Sequence, residues 1–149
     1  NMAIRKVLNT SKYHFVLNPD IYFNPDDMKI LIDYMENNPD VGQLMPKVIY
    51  PNGELQYLCK LLPTPYDLLV RRFIPIKKIK DLNNTKFELR FSGYDKIMNV
   101  PYLSGCFMLL RVSALKEVGL FDERYFMYPE DIDLTRRIHT KYKTIFYPK

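Results

Sequence analysis

The sequence predicts an α/β fold in which a central, mostly parallel sheet is flanked by helices. Two observations support this prediction. Segments with apolar residues at helical spacing alternate along the chain with short apolar runs. These runs lack a strict alternation of apolar and polar residues, which is typical of strands buried on both faces of a parallel sheet. With 149 residues, the chain has the length of one domain.

Composition narrows the classes of protein that the chain can represent. A hydrophobic fraction of 47%, with 12 Tyr and 9 Phe, excludes a disordered chain. Lys and Arg total 22 against 17 Asp and Glu, which gives a net charge of +5. This modest excess is spread along the chain, so it does not require nucleic acid and suits an anionic small molecule or an acidic membrane surface. The longest uncharged run, Ile97–Leu110, is shorter than the ~20 residues that a membrane-spanning helix needs.

Cysteine and histidine usage gives no sign of a soft metal site. Cys59 and Cys106 lie far apart without metal-ligand spacing. They are either buried free thiols, as in a cytosolic protein, or the two halves of one disulfide. His14 and His139 are expected to have structural roles.

The start of the chain suggests a fragment of a longer protein. Asn1 leads directly into Ile4, Val7 and Leu8, which have helical spacing, and no clear start signal precedes them. We therefore expect that the chain was cut close to the start of a helix.

The first strand and the second helix have clear local signals. The short apolar run Tyr13–Leu17 predicts the strand. Asn24 is expected to cap the helix, because Pro25 suits the first helical position and Asp26 and Asp27 favour the positive end of the helix dipole. Apolar residues then recur at i, i+3, i+4 and i+7 and give the helix one apolar face: Met28, Leu31, Ile32 and Met35.

A strand and a hairpin are predicted after this helix. The helix is expected to end at Asn38, because the residue before a proline disfavours the helical region. Val41–Tyr50 predicts a strand that Pro46 interrupts, so it is expected to be an edge strand or a bent one. Pro51–Glu54 predicts a turn, and Leu55–Leu58 the returning strand.

In the second half of the chain, a helix is predicted at Tyr66–Phe73, a long loop at Ile74–Asn99 and a strand at Val100–Leu110. Two helices are predicted to follow, one at Ser113–Val118 and one that begins at Pro129, and then a final strand at Thr144–Tyr147. The loop is predicted because its many charges show only weak periodicity. Gly119 is expected to end the helix before it. Pro129, followed by Glu130 and Asp131, marks the start of the last helix.

The tripeptide Asn-Pro-Asp occurs three times, and one copy differs from the others. The copies at 24–26 and 38–40 mark the start and the end of the second helix. The copy at 18–20 follows a strand, and Pro19 cannot donate to the sheet ladder, so the chain turns away there. Asn18 and Asp20 are then expected at the carboxyl end of the strand, where open α/β sheets bind ligands. Asp20 suits Mg²⁺ or Mn²⁺, or else its side chain bonds only nearby backbone in an Asx turn.

A second acidic segment, Glu130-Asp131-Ile132-Asp133-Leu134, follows Gly119-Leu120-Phe121-Asp122. Earlier in the chain stand Asn18-Pro19-Asp20 and then Tyr102-Leu103-Ser104-Gly105-Cys106. With these four segments in this order along the chain, the sequence resembles the inverting glycosyltransferases of family 2, in particular their rhamnosyltransferase-like branch. The resemblance runs over nearly the whole chain. It implies an incomplete GT-A fold, in which residues 1–149 form the C-terminal part of the catalytic domain and the N-terminal nucleotide-binding strands are missing.

The resemblance also implies roles for individual residues. Asp20 corresponds to the carboxylate that binds Mg²⁺ or Mn²⁺ and so holds the donor's diphosphate, and Asn18 stands where many members have another Asp. Ser104 and Gly105 correspond to the strand segment that passes close to the donor sugar. Asp131 corresponds to the catalytic base.

Two further residues, Glu130 and Arg137, match the family pattern and are given supporting roles. The alternative for the acidic segment is a purely structural role, in which its carboxylates favour the positive end of the helix dipole and take no part in catalysis. Asp133 and Arg137, at i and i+4, are expected to pair on the helix surface.

The implied function is transfer of a sugar, with inversion, in bacterial surface polysaccharide synthesis. The donor would be a UDP- or dTDP-sugar, with rhamnose suggested by likeness, and the acceptor a saccharide or a polyprenyl-linked saccharide. The expected location is the cytoplasm, either free or peripheral at the inner face of the plasma membrane. The alternatives are a binding module that keeps the fold without turnover and a metal-dependent phosphohydrolase. The fragment alone is expected to bind donor poorly, to turn over little or nothing, and to self-associate through an exposed sheet edge.

Overall fold

The computed structural model describes residues 1–62, 64, 77–125 and 129–149. Its helices are α1 Met2–Val7, α2 Pro25–Asn37, α3 Lys77–Phe87, α4 Val112–Val118 and α5 Pro129–His139. Its strands are β1 Tyr13–Leu17, β2 Val41–Pro46, β3 Cys59–Lys60, β4 Met98–Asn99, β5 Tyr102–Leu103, β6 Phe107–Arg111 and β7 Lys143–Tyr147. The helix predicted at 66–73 lies outside the described residues. None of the described helices is long and apolar enough to cross a membrane.

The central sheet is mixed, and the prediction of a mostly parallel sheet is wrong. Its strand order is β1-β6-β2-β7-β4, and a separate ribbon pairs β3 with β5. In the central sheet β2 and β7 are parallel, whereas the pairs β1–β6, β6–β2 and β7–β4 are antiparallel. The prediction failed because apolar runs report burial on both faces, and burial is equally complete in the middle of a mixed sheet.

The first strand lies at an edge of this sheet. Both of its faces pack against a core, with Phe15 on one side and Val16 on the other, but all five residues of β1 are only half-buried, so the predicted burial on both faces is partial. Because β6 is antiparallel to both β1 and β2, the strands β1, β2 and β7 nevertheless point in the same direction. Their carboxyl ends therefore meet at one edge of the sheet, together with the start of β6.

The sheet separates two apolar cores. On the side covered by α2, the core contains residues from the helix and from the facing strands: Leu31, Met35, Leu44, Phe107, Leu109 and Phe146, among others. On the side covered by α4 and α5 it contains Ile4, Met108, Leu110, Leu115, Leu134 and Ile138. Alternate residues of β6 thus enter opposite cores, as strand geometry requires.

The helix boundaries follow the predicted local signals. The Asn24 side chain accepts a hydrogen bond from the Asp26 N–H at 3.1 Å, which confirms the cap of α2. Gly119 ends α4 with a φ of 88°, a conformation that favours glycine. The last helix begins at Pro129 as predicted.

Several strand and loop predictions need correction. The segment 74–99 is not a long loop, because it holds α3 and β4. Its helix was missed since it has few apolar residues, of which Leu82 is 78% exposed. After the turn the chain returns as predicted, but only as an isolated antiparallel bridge between Leu55 and Ile49 and not as a strand over Leu55–Leu58. The strand β3 begins at Cys59 and pairs with β5.

Two further strand predictions were incomplete. Pro46 ends β2 as expected, but β2 is a central strand between β6 and β7 and not an edge strand. The strand predicted at 100–110 is divided into β5 and β6 by a turn at 104–106. Both cysteines are free, so the alternative of a disulfide is excluded.

A buried arginine joins the end of β6 to the end of α2. Arg111 is 7% exposed and donates hydrogen bonds to the carbonyls of Val41 at 2.7 Å, Met35 at 2.6 Å and Asn38 at 3.0 Å. The last two carbonyls belong to the C-terminal end of α2, where each also accepts one backbone N–H, from Asn38 and Val41 respectively. The positive charge also suits the negative end of the helix dipole.

We expect Arg111→Met to lower the free energy of unfolding by about 2–4 kcal/mol, because it removes a buried charged donor that bonds three backbone carbonyls. Chemical denaturation of both proteins measures the difference. The matched control is Arg136→Met, which changes an exposed arginine of α5 and should stay within about 0.5 kcal/mol of the unchanged protein. Equal effects of the two substitutions would contradict this role of Arg111.

Candidate active site

Asn18 and Asp20 lie just beyond the carboxyl end of β1, as predicted. The Asn18 carbonyl accepts a hydrogen bond from the Ile21 N–H at 3.2 Å, which closes a four-residue turn. Pro19 occupies the second position of this turn, which its fixed φ favours. Asp20 is exposed, and within the described residues its carboxylate has no hydrogen-bond or ion-pair partner. The Asx-turn alternative therefore has no bond to support it.

A cleft of about 810 Å³ opens beside this turn. Asn18, Asp20 and Cys106 contribute to its lining. The rest of the lining comes mainly from the segment just before α2, from the first turns of that helix and from the segment after β2, with apolar and aromatic side chains that include Tyr22, Phe23, Ile49 and Tyr50. Asp131 does not line this cleft.

Asp131 lies in the first turn of α5 and faces the segment between β5 and β6. Its Oδ2 accepts a hydrogen bond from the Gly105 N–H at 2.8 Å, and its Oδ1 accepts one from the Ile132 N–H at 2.7 Å. Burial raises the pKa of the Asp131 carboxyl above its ordinary value, while these two backbone bonds act in the opposite direction. A carboxylate that served only the helix dipole would not need this inward contact.

Gly105 permits this close approach because it has no side chain. A Cβ atom at this position would lie 3.0 Å from the Asp131 Cβ and 3.2 Å from the Asp131 Oδ2. Either the carboxylate or the turn would have to move to make room. A glycine at this position therefore lets the backbone approach the Asp131 side chain closely.

The same short turn also contacts the Asn18–Asp20 segment. The Cys106 carbonyl accepts a hydrogen bond from the Asn18 N–H at 2.9 Å. Ser104 is half-buried, and its N–H donates to the Leu58 carbonyl at 3.2 Å. Residues 104–106 therefore bind, at successive positions, the segment that carries Asp20 and the side chain of Asp131.

The two supporting residues differ in their surroundings. Arg137 pairs with Asp133 at 2.6 Å, as the i, i+4 spacing predicts, and donates to the carbonyls of Val118 at 2.7 Å and Leu120 at 2.8 Å. It holds the end of α4 and the residues that follow it, and in the described part of the chain none of its hydrogen bonds goes to Asp131, so these contacts support a structural role. Glu130 is half-buried beside Asp131, and its Oε2 is buried without a hydrogen-bond partner in the described part of the chain.

Two residues near Asp131 were missed by sequence reasoning. The Tyr102 hydroxyl lies 3.5 Å from the Asp131 Oδ2. The Lys60 Nζ lies 5.4 Å from the centre of the Tyr102 ring, because β3 and β5 place these two residues directly opposite each other. Tyr102 belonged to a recognised motif segment, but only the β3–β5 pairing brings Lys60 to the same place.

The residues present can be compared with the needs of a divalent cation. No group of three or more His, Cys, Asp or Glu side chains in the described residues could hold a metal ion. Mg²⁺, however, is commonly bound through one or two carboxylates together with substrate phosphates and water. The exposed, unpaired carboxylate of Asp20 fits that mode of binding.

The mixed sheet with flanking helices is compatible with a glycosyltransferase fold, and sequence comparison defines the class further. No protein-family model matches the chain. It is homologous to bacterial rhamnosyltransferases, which confirms the resemblance that its motifs predicted. It is 32% identical over 128 residues to an N-acetylglucosaminyl-diphospho-decaprenol L-rhamnosyltransferase of Mycobacterium tuberculosis, across 83% of this chain and 40% of that protein. It is 31% identical over 131 residues to Rhamnosyltransferase WbbL of Escherichia coli K12, across 85% of this chain and 45% of that protein. The chain thus spans less than half the length of these relatives.

Proposed function

We propose that the chain is the catalytic part of an inverting glycosyltransferase that moves a sugar from a nucleotide-diphosphate donor to a saccharide or lipid-linked saccharide. The observation that carries this proposal is the turn at 104–106, which contacts the Asp20 segment through Cys106 and the Asp131 carboxylate through Gly105. The segment that carries Asp20 and the side chain of Asp131, which are distant in the sequence, are thereby bonded to one short piece of backbone. The homology to rhamnosyltransferases supports the same reading.

The reaction would be a single displacement. The acceptor hydroxyl gives its proton to the Asp131 carboxylate, and its oxygen forms a bond to the anomeric carbon of the donor sugar. The bond from that carbon to the phosphate oxygen breaks, and its electron pair leaves with the diphosphate. One displacement inverts the anomeric configuration and needs no protein nucleophile.

The surroundings of Asp131 suit a general base. Burial raises the pKa of its carboxyl, which strengthens it as a proton acceptor, and the Gly105 and Ile132 amides favour the charged form. General-base catalysis is typically worth ~10²–10⁴-fold in rate. Because the carboxyl must be ionised to accept a proton, transfer should decline as the pH falls through its raised pKa.

Asp20 would take part on the donor side. Its exposed carboxylate at the rim of the cleft would hold Mg²⁺ or Mn²⁺, which neutralises charge that develops on a departing diphosphate. Asn18 is placed beside it by the backbone bond to Cys106. The fixed backbone between the two acids would keep donor and acceptor in line.

The relatives suggest the substrates. Both names specify rhamnose as the transferred sugar, and the mycobacterial name also specifies the L form and N-acetylglucosaminyl-diphospho-decaprenol as the acceptor. For this chain we propose a dTDP- or UDP-sugar donor, with rhamnose as the favoured sugar, and a polyprenyl-diphosphate-linked acceptor. The transfer reaction would form part of polysaccharide synthesis at the cytoplasmic face of the membrane.

A donor screen on the full-length protein tests this proposal. Nucleotide sugars are offered with Mn²⁺ and either a polyprenyl-diphosphate-linked or a free saccharide acceptor, and NMR determines the anomeric configuration of the product. We expect transfer with inversion. A product that retains the donor's configuration, or hydrolysis of donors without transfer, would contradict the proposed function.

A further inference from the structure

Beyond the predicted site residues, we propose that Tyr102 is a positioning residue for Asp131, whose hydroxyl helps to fix Oδ2 and thereby leaves Oδ1 as the atom that accepts the acceptor's proton. This inference rests on the proposed function, because it assigns a task within that reaction. It concerns a residue of β5 that lies outside the cleft beside Asp20.

The argument begins with the lone pairs of the Asp131 carboxylate, of which each oxygen has two. Oδ2 faces two donors, the Gly105 N–H at 2.8 Å and the Tyr102 hydroxyl at 3.5 Å. Oδ1 faces one donor, the Ile132 N–H at 2.7 Å. In the described part of the chain, Oδ1 therefore keeps one lone pair for a proton from a substrate.

The hydroxyl of Tyr102 is well suited to remain a donor. The side chain is 7% exposed, and burial, followed by the negative charge of Asp131, raises the pKa of its phenol. The group therefore stays protonated throughout the acidic and neutral range in which Asp131 titrates. A separation of 3.5 Å is long for an O–H···O bond, but bonds at catalytic groups commonly shorten when substrate binds.

The ring of Tyr102 is held in place independently of its hydroxyl. It lies in the β3–β5 ribbon opposite Lys60, whose Nζ is 5.4 Å from the ring centre. A cation at that distance interacts favourably with an aromatic ring. Phenylalanine would keep both the ring and this contact, so Tyr102→Phe removes the hydroxyl alone.

Other charged or titratable groups also act on Asp131 and must be kept constant. Lys60 on β3 lowers the pKa of the Asp131 carboxyl, and Glu130 on α5 raises it. Burial raises the pKa of the Cys106 thiol, in the turn, and the nearby negative charge of Asp131 adds to that increase. Tyr102→Phe leaves all three groups unchanged, so an altered titration of Asp131 reports the lost hydroxyl.

The test compares the full-length protein with its Tyr102→Phe variant. Loss of a donor to the charged carboxylate should move the acidic limb of the kcat/KM profile upward by about half a pH unit. The kcat should fall roughly 3- to 10-fold, while the KM for the donor stays unchanged. Carbon-13 NMR of the Asp131 carboxyl, which does not depend on turnover, should show the same upward shift.

The matched control is Tyr57→Phe, which removes a hydroxyl from a ring that packs against Tyr94, away from Asp131. It should leave the pH profile and the NMR titration unchanged. If the unchanged protein transfers sugar and Tyr102→Phe alters neither kcat nor the titration of Asp131, the positioning role is wrong. If the titration shifts but the unchanged protein transfers no sugar, the proposed function fails and the contact between Tyr102 and Asp131 stands.

Discussion

Replacing Asp131 with Asn in the full-length protein is expected to lower kcat for sugar transfer by roughly 10²–10⁴-fold, because an amide cannot accept the acceptor's proton. The size and shape of the side chain are preserved, and an Asn oxygen can still accept the Gly105 N–H. Binding of the donor should therefore persist. Steady-state transfer kinetics and calorimetry with the nucleotide sugar measure the two effects separately.

The matched control for this substitution is Asp133→Asn, two residues further along the same helix. The Asp133 carboxylate pairs with Arg137 and does not face Gly105, so its loss should cost some stability but little transfer. Transfer that survives Asp131→Asn, or that falls equally in the two variants, would remove Asp131 from its role as the base.

The second large effect is expected at the other end of the site. Asp20→Asn should weaken Mn²⁺-dependent binding of the nucleotide-sugar donor by at least about 10-fold, because a neutral amide is a much poorer ligand than a carboxylate for a hard cation. Donor binding without metal should change little. Calorimetry on the full-length protein, with and without Mn²⁺, measures the difference.

Asp27→Asn provides the comparison for Asp20. Asp27 also lines the cleft, but it lies in the first turn of α2, where acidic residues favour the helix dipole. Its substitution should leave Mn²⁺-dependent binding intact. If Asp20→Asn and the unchanged protein bind donor equally well with Mn²⁺, Asp20 does not hold the metal.

The helices were largely predictable because their signals are local. The Asn24 cap, Pro25, the glycine at 119 and Pro129 each set a boundary through the conformation of one or two residues. The exception is α3, whose mostly polar sequence lacks the apolar stripe by which a helix is recognised.

Strand direction was not predictable because it depends on pairing between distant segments. The run at 13–17 is apolar, yet only its register with β6 shows that it is an antiparallel edge strand. In the same way, Lys60 reaches Tyr102 through the short β3–β5 ribbon, and no pattern near residue 60 indicates that pairing.

The candidate site was predictable only in part. Asp20 and Asp131 were selected by residue type and by family resemblance. They are so far apart in the sequence that their separation along the chain does not predict how close they lie in the fold. Their common contact with the turn at 104–106 comes from the fold, as does the hydroxyl of Tyr102 beside Asp131. The Arg137 side chain, chosen by the same resemblance, donates to backbone carbonyls at the end of α4 and just after it.

The most direct measurement is a crystal structure of the full-length enzyme with Mn²⁺ and a nucleoside diphosphate, in which anomalous scattering locates the manganese. We predict manganese on the Asp20 carboxylate, with the diphosphate beside Cys106 and the space next to the Asp131 Oδ1 open to an acceptor. Manganese and diphosphate bound at a place that Asp20 does not reach, or an Asp131 closed off from the bound nucleotide, would contradict the account.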